Sequence, residues 1–104
     1  MAAIYSISIA HGLRAGSTNA VVYTVPSGSV LVLRSVWLAM YAGGPGGAGV
    51  THSDGSRACG FDPSGGTGEQ GFDLREVFDA GEDVYVYTTA GDWTYALSGY
   101  LLDA

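Results

Sequence analysis

TVPSGSVLVLRSVWLAMYA, Thr24 to Ala42, decides how this chain is read. Pro26 suits the second position of a tight turn, because its fixed φ is already the one required. Gly28 follows where a positive φ is needed. Val30 to Ala42 is then a long run rich in β-branched and apolar residues, which predicts a strand bent near Arg34 and Ser35. Both of its faces are largely apolar, whereas a two-sheet sandwich buries only one face of each sheet. A related phrase returns as VFDAGEDVYVYTT, Val77 to Thr89, with a turn at Asp79-Ala80-Gly81 and a strand from Asp83 to Thr89. Both phrases read as corners, in which a small residue and a glycine lead into a strand that must start on a fixed face. Turn chemistry alone accounts for the likeness.

Outward from these corners almost nothing reads as helix. Ile4, Tyr5, Ile7 and Ile9 alternate with small residues and predict a strand, followed by a loop from His11 to Thr18. Asn19 to Val25 is a second strand by its β-branched and aromatic content. Trp93 to Leu102 predicts a closing strand with Trp93, Tyr95, Leu97 and Leu101 on one face. The stretch from Phe72 to the Asp79 turn holds an extended segment, though Leu74, Val77 and Phe78 have helical spacing, enough for one short turn at most. Eleven of the 17 glycines fall between Gly43 and Gly71. That stretch predicts a glycine-rich loop region holding two weak strands, Ala48 to His52 and Ser56 to Phe61, with DPSGGTGEQG as a further loop. Seven or eight short strands with glycine-rich turns describe one all-β domain, residues 1–104. The expected form is an antiparallel β-sandwich, jelly-roll-like.

The 104 residues are enough for one domain. Charged residues make up only 13% of the chain, against about 25% in an average soluble domain. A surface so poor in charge is covered by something else or built of Ser, Thr and Gly. Ten Asp and Glu face four Arg and no Lys. This balance argues against nucleic-acid binding, which needs clustered cations to displace counterions. Cys59 is the single cysteine and has no partner for an internal disulfide. MAAIYSISIAHG has neither a basic start nor a long apolar run, so it does not read as a signal peptide. No stretch reaches eighteen uninterrupted apolar residues, so no membrane span is expected.

The chemical motifs are thin. GGPGGAGV lacks the Lys and the following helix that a phosphate loop requires. One thiol and two histidines fall short of a zinc set, so neither metal nor cofactor is expected. His52 and Asp54 read as loop residues around a Ser53-Asp54-Gly55 turn, and Cys59 as a small buried apolar residue. There is no G-x-S-x-G elbow. Glu82 and Asp83 are neighbours on a strand and point apart. No catalytic residue is assigned, and the chain does not read as an enzyme.

Arg34 lies between Val32 and Val36 on the long strand. It reads as a solvent-facing or edge residue that blunts pairing, or as one half of an intersubunit ion pair with Glu82 or Asp83. Tyr85 and Tyr87 alternate with Val84 and Val86, so tyrosines form a stripe opposite the valines. Tyr5, Tyr23, Tyr95 and Tyr100 add to the count. Such a stripe suits an interface, a carbohydrate-stacking surface, or cross-strand pairs on a half-wet sheet. Arg34, Trp37, Tyr85 and Tyr87 are the candidate contact residues.

YTVPSGSVLVLRSVWLAMYAGG and GFDLREVFDAGEDVYVYTTAGDWTYALSGYLLDA, with the variable glycine-rich middle between them, resemble small virion proteins of tailed bacteriophages. The likeness is strongest to phages of actinobacteria, where such proteins are minor tail or head-decoration proteins. The shared features are the VPSG corner, the DAGEDVYVY corner and the terminal SGYLL strand. The resemblance covers the chain from about Asn19 onward. It implies a non-catalytic structural role in a virion, after synthesis in the bacterial host cytoplasm. The implied partners are further copies of the chain, as a trimer or ring, and other capsid or tail proteins. A carbohydrate-binding module for host-surface attachment is the alternative.

Overall fold

The structure, a computed structural model, describes residues 6–42, 45–63 and 67–103. Eight strands run in order: β1 (Ser6–Ala15), β2 (Thr18–Thr24), β3 (Ser29–Ala42), β4 (Ala48–Thr51), β5 (Arg57–Phe61), β6 (Gly68–Phe78), β7 (Asp83–Thr88) and β8 (Asp92–Asp103). They form two four-stranded sheets, β1-β8-β3-β6 and β2-β7-β4-β5, every pairing antiparallel. We call them the first and second sheet. Packed face to face they make a sandwich in jelly-roll order, as expected from the sequence. The pairs β1–β8, β2–β7, β3–β6 and β4–β5 nest inside one another. The chain is therefore one long hairpin whose tip is the β4–β5 turn, rolled over so that β3 also pairs with β8 and β4 with β7.

The core lies between the sheets and follows the period-2 pattern. β3 supplies Leu31, Leu33, Val36, Leu38 and Met40, and β8 supplies Trp93, Tyr95 and Leu97. Phe78, Val84, Val86, Ala48 and Val50 close it from β6, β7 and β4. Each large aliphatic side chain so buried contributes about 1.5–3 kcal/mol. The indole Nε1 of Trp93 donates to the Ala90 carbonyl at 2.8 Å, so its polar atom is not wasted inside. Phe61 meets Trp93 edge-on across the sandwich, ring centres 6.1 Å apart.

The bend expected near Arg34 is a β-bulge. Register slips between Leu33 and Ser35 in both the β3–β6 and β3–β8 ladders. Leu33 and Val36 both face the core as a result. Arg34 therefore does not share a face with Val36, as simple alternation would have it.

The two similar phrases are two of the six places where the chain changes sheets between nested pairs, β2 to β3 on the way in and β6 to β7 on the way back. They lie side by side. Val25 N–H donates to the Glu82 carbonyl and Gly81 N–H to the Val25 carbonyl, each at 2.9 Å. Gly28 and Gly81 take φ of +86° and +80°, which an L side chain rarely adopts.

Other expectations need correction. β1 runs through Ala15, so His11 to Ala15 is strand rather than loop, because it pairs with Ala96 to Asp92. Phe72 to Phe78 is strand, not a helical turn. Phe72, Leu74 and Phe78 face the core at spacing two, and the ladder to β3 overrides a weak local preference. GEQG, Gly68 to Gly71, opens β6 rather than ending a loop. Inside the glycine-rich stretch the two short strands appear as β4 and β5. Ile4, Tyr5, Gly43, Gly44 and residues 64–66 lie outside the described residues.

Gly99 sits in β8 opposite the bulge. A Cβ there would fall 2.2 Å from the Val32 carbonyl oxygen and 3.1 Å from Leu33 Cα, both main-chain atoms that cannot swing aside. Gly99→Ala should therefore lower unfolding stability by about 1–3 kcal/mol through overpacking. A urea midpoint equal to that of the parent chain would contradict this account of the bulge.

Candidate functional site

Cross-strand partners point to the same side of a sheet, so the register assigns every outward residue. On the first sheet one outward row is His11, Ala96, Trp37 and Gly71; the next is Leu13, Thr94, Ala39 and Glu69. Tyr100, Val32 and Val77 form a row further along. Leu13, Trp37, Tyr41 and Val77 are 67%, 40%, 52% and 50% exposed. Among the described residues only one other large hydrophobic is exposed, Val21 on the second sheet. A polar row, Ser8, Ser98, Ser35 and Asp73, separates the Val77 row from the rest, so the exposed apolar side chains gather at the end of the first sheet that carries Leu13, Trp37 and Tyr41. A shallow groove of about 540 Å³ runs across it, lined by Trp37, Tyr41, Glu69 and Thr94 among others. Arg34 is exposed at the bulge, where its Nε donates to the Leu74 carbonyl at 2.9 Å.

Tyr85 and Tyr87 lie on the opposite side of the molecule, outward on the second sheet beside Val21, Asn19, Thr51 and Gly49. The structure therefore separates the four candidate contacts into two pairs: Arg34 and Trp37 on one face, Tyr85 and Tyr87 on the other. The tyrosines are half-buried, not projecting. Tyr87 lies across Gly49, where a Cβ would meet its hydroxyl at 2.7 Å. The guanidinium of Arg57 sits 5.6 Å from the Tyr87 ring centre. Burial pushes the Tyr87 hydroxyl above its ordinary range, against the opposing pull of Arg57.

Within the chain, Arg34 does not meet either acidic residue suggested by the sequence. Asp83 accepts from the Thr24 hydroxyl at 2.7 Å, and Glu82 is taken up by His52.

That last contact is the arrangement sequence reasoning missed. His52 begins the β4–β5 turn, where its N–H donates to the Ser56 carbonyl and its own carbonyl accepts from Gly55. Asp54 caps the same turn by accepting from the Ser56 N–H and hydroxyl. The turn at Ser53-Asp54-Gly55 is as expected, but the imidazole is not idle. Its Nδ1 lies 2.6 Å from Glu82 Oε2 and its Nε2 lies 2.7 Å from Glu76 Oε2. The ring stacks on Phe78, centres 4.0 Å apart and planes at 17°. Burial pushes the imidazole's pKa down, but hydrogen bonds and charge from Glu76 and Glu82 outweigh it, and the net shift is upward from the ordinary 6.5. The partners lie 24 and 30 residues away, so no local spacing signals them.

Neither a protein-family model nor any curated protein matches the sequence. Solved structures do match the fold. A chain in the structure of infectious bursal disease virus Gx strain superposes with a TM-score of 0.57 at 10% identity, covering 98% of this chain and 32% of that one. A chain in the Gt strain structure gives a TM-score of 0.51 at 11% identity, again over 98% and 32%. This chain thus spans about a third of the viral chains it resembles, and what it shares with them is the jelly-roll architecture.

Cys59 packs against the core, and burial raises its thiol pKa to about 11. The thiolate is the reactive form. Alkylation by iodoacetamide at pH 8 should run at least about a hundredfold slower than in the urea-unfolded chain. Equal rates would place Cys59 in solvent.

Proposed function

We propose that this chain is a non-enzymatic structural protein of a virus particle, of the tailed-phage minor tail or head-decoration kind, and that it assembles through the outer face of its first sheet. The observation that carries the reading is the gathering of exposed Leu13, Trp37 and Tyr41 at one end of a sheet face, in a chain of which only 13% is charged. Four strands about 4.8 Å apart and some ten residues long make a face of roughly 600 Å². That approaches the ~800 Å² each partner contributes to a standard interface. The viral superpositions support a virion role, since the same architecture is used there at full coverage of this chain. Closed symmetry, a trimer or ring, would cover the face on every copy.

In this reading Trp37 is the central anchor, with Leu13 and Tyr41 beside it. Tyr85 and Tyr87 are cross-strand packing on the far side. Arg34 sits at the rim of the contact. The polar content of the groove favours one second reading. Trp37 and Tyr41 could stack on sugar rings, while Glu69 and Thr94 hydrogen-bond their hydroxyls. This would move the carbohydrate alternative from the tyrosine stripe to the opposite face.

Light scattering across a dilution series should give a small integral multiple of the 10.7 kDa chain. Trp37→Ala and Leu13→Ser should reduce it to the monomer, while Tyr85→Ala should not. A monomer at all concentrations would sink self-assembly. Glycan binding by that monomer, lost in Trp37→Ala, would then establish the second reading.

A further inference from the structure

We propose that His52, Glu76 and Glu82 form a proton-operated clasp. While the imidazole is charged, it pins the tip of the β4–β5 hairpin to β6 and to the β6–β7 corner; when the imidazole is neutral, it lets the tip go. The hairpin is otherwise joined to the molecule by the short β4–β7 ladder and by core packing of Ala48, Val50, Cys59 and Phe61. Across to β6 of the first sheet, the clasp supplies a polar tie from this tip: Nε2 of His52 to Oε2 of Glu76.

The geometry demands the proton. A charged imidazole donates from both ring nitrogens; a neutral one donates from one and presents a lone pair at the other. Both nitrogens here face carboxylate oxygens at hydrogen-bonding distance. Only imidazolium satisfies both. In the neutral ring one contact becomes a lone pair against a carboxylate and must open. Among the described residues no arginine pairs with Glu76 or Glu82, so the imidazolium is the cation holding them. Glu82 is fixed from behind, its Oε1 accepting from the Asp79 N–H at 3.0 Å. The charged groups acting on His52 are Glu76 from β6, Glu82 from the corner and Asp54 from its own turn. Phe78 covers one ring face with no charge of its own.

The sign follows from the upward shift. A group whose folded-state pKa is raised contributes its stability fully below the unfolded value, near 6.5, and loses it as pH rises through the folded value. The clasp is closed in mild acid and opens toward alkaline pH.

An NMR titration of the full chain tests this. Its only histidines are His11 and His52, so His52→Gln assigns the imidazole resonances. If that variant does not fold, His11→Gln assigns them by difference. The His52 imidazole should titrate above 6.5, and the amides of residues 48–61 should shift with the same midpoint. Glu76→Gln should lower that midpoint while the amides of β1 and β8 stay in place. It should also melt below the parent chain at pH 6, with the gap narrowing by pH 9. A His52 midpoint at or below 6.5, hairpin amides that ignore it, or a midpoint unmoved by Glu76→Gln would each overturn the proposal.

Discussion

The antiparallel pairing of the two halves of the chain is the constraint on which everything else depends. Ser6 pairs with Tyr100, Thr24 with Asp83, Leu31 with Phe78 and Val50 with Cys59. A ribbon that long has one apolar side, and it gains most by rolling so that this side meets itself. Rolling forces the two halves to change sheets at the same points. The corners therefore have to match, and the reciprocal hydrogen bonds between Val25, Gly81 and Glu82 are where they do. The likeness of the VPSG and DAGED phrases reflects this shared task. No duplication is needed to explain it.

The alternation of valines with tyrosines in β7 and the core face of β8 could be read directly, because period-2 patterning carries them. The sandwich, its seven or eight strands and the bend in β3 were legible for the same reason. Local rules failed where a partner strand overruled them. His11 to Ala15 has loop composition, and Phe72 to Phe78 has helical spacing, yet each lies in a ladder supplied by residues far along the chain. The candidate contacts fared likewise. Tyr85 and Tyr87 lie opposite the valines as the alternation implied, whereas the two-sided apolar run of β3 left the direction of Trp37 open; which sheet each belongs to is a matter of topology, and the tyrosines are on the other side from Trp37. The bulge at Arg34 then shifted the phase of half a strand, which no count along the sequence reveals. His52 was placed in its turn and still misjudged, since its partners come from two other segments.

The two outer faces differ in chemistry. On the second sheet the Tyr87 ring lies over Gly49 and beneath the Arg57 guanidinium, so much of its apolar area is spent within the chain. On the first sheet the indole of Trp37 and the ring of Tyr41 remain available. Charge on the first sheet is gathered along its β6 edge, at Glu69, Asp73 and Arg75, while Leu13, Trp37 and Tyr41 lie exposed on its other strands, where water covers them poorly.

The nesting of the strands also bears on how the chain reaches this state. β1 and β8 are separated by nearly the whole chain, and closing so large a loop in one step is entropically slow. The β4–β5 turn closes a loop of only a few residues, from Thr51 to Arg57. Once it forms, β3 and β6 are brought near each other, then β2 and β7, then the termini. Each step closes a small additional loop. The cheapest order of assembly starts at the middle of the sequence and ends at its two ends, with the chain zipping outward from the turn that His52 holds.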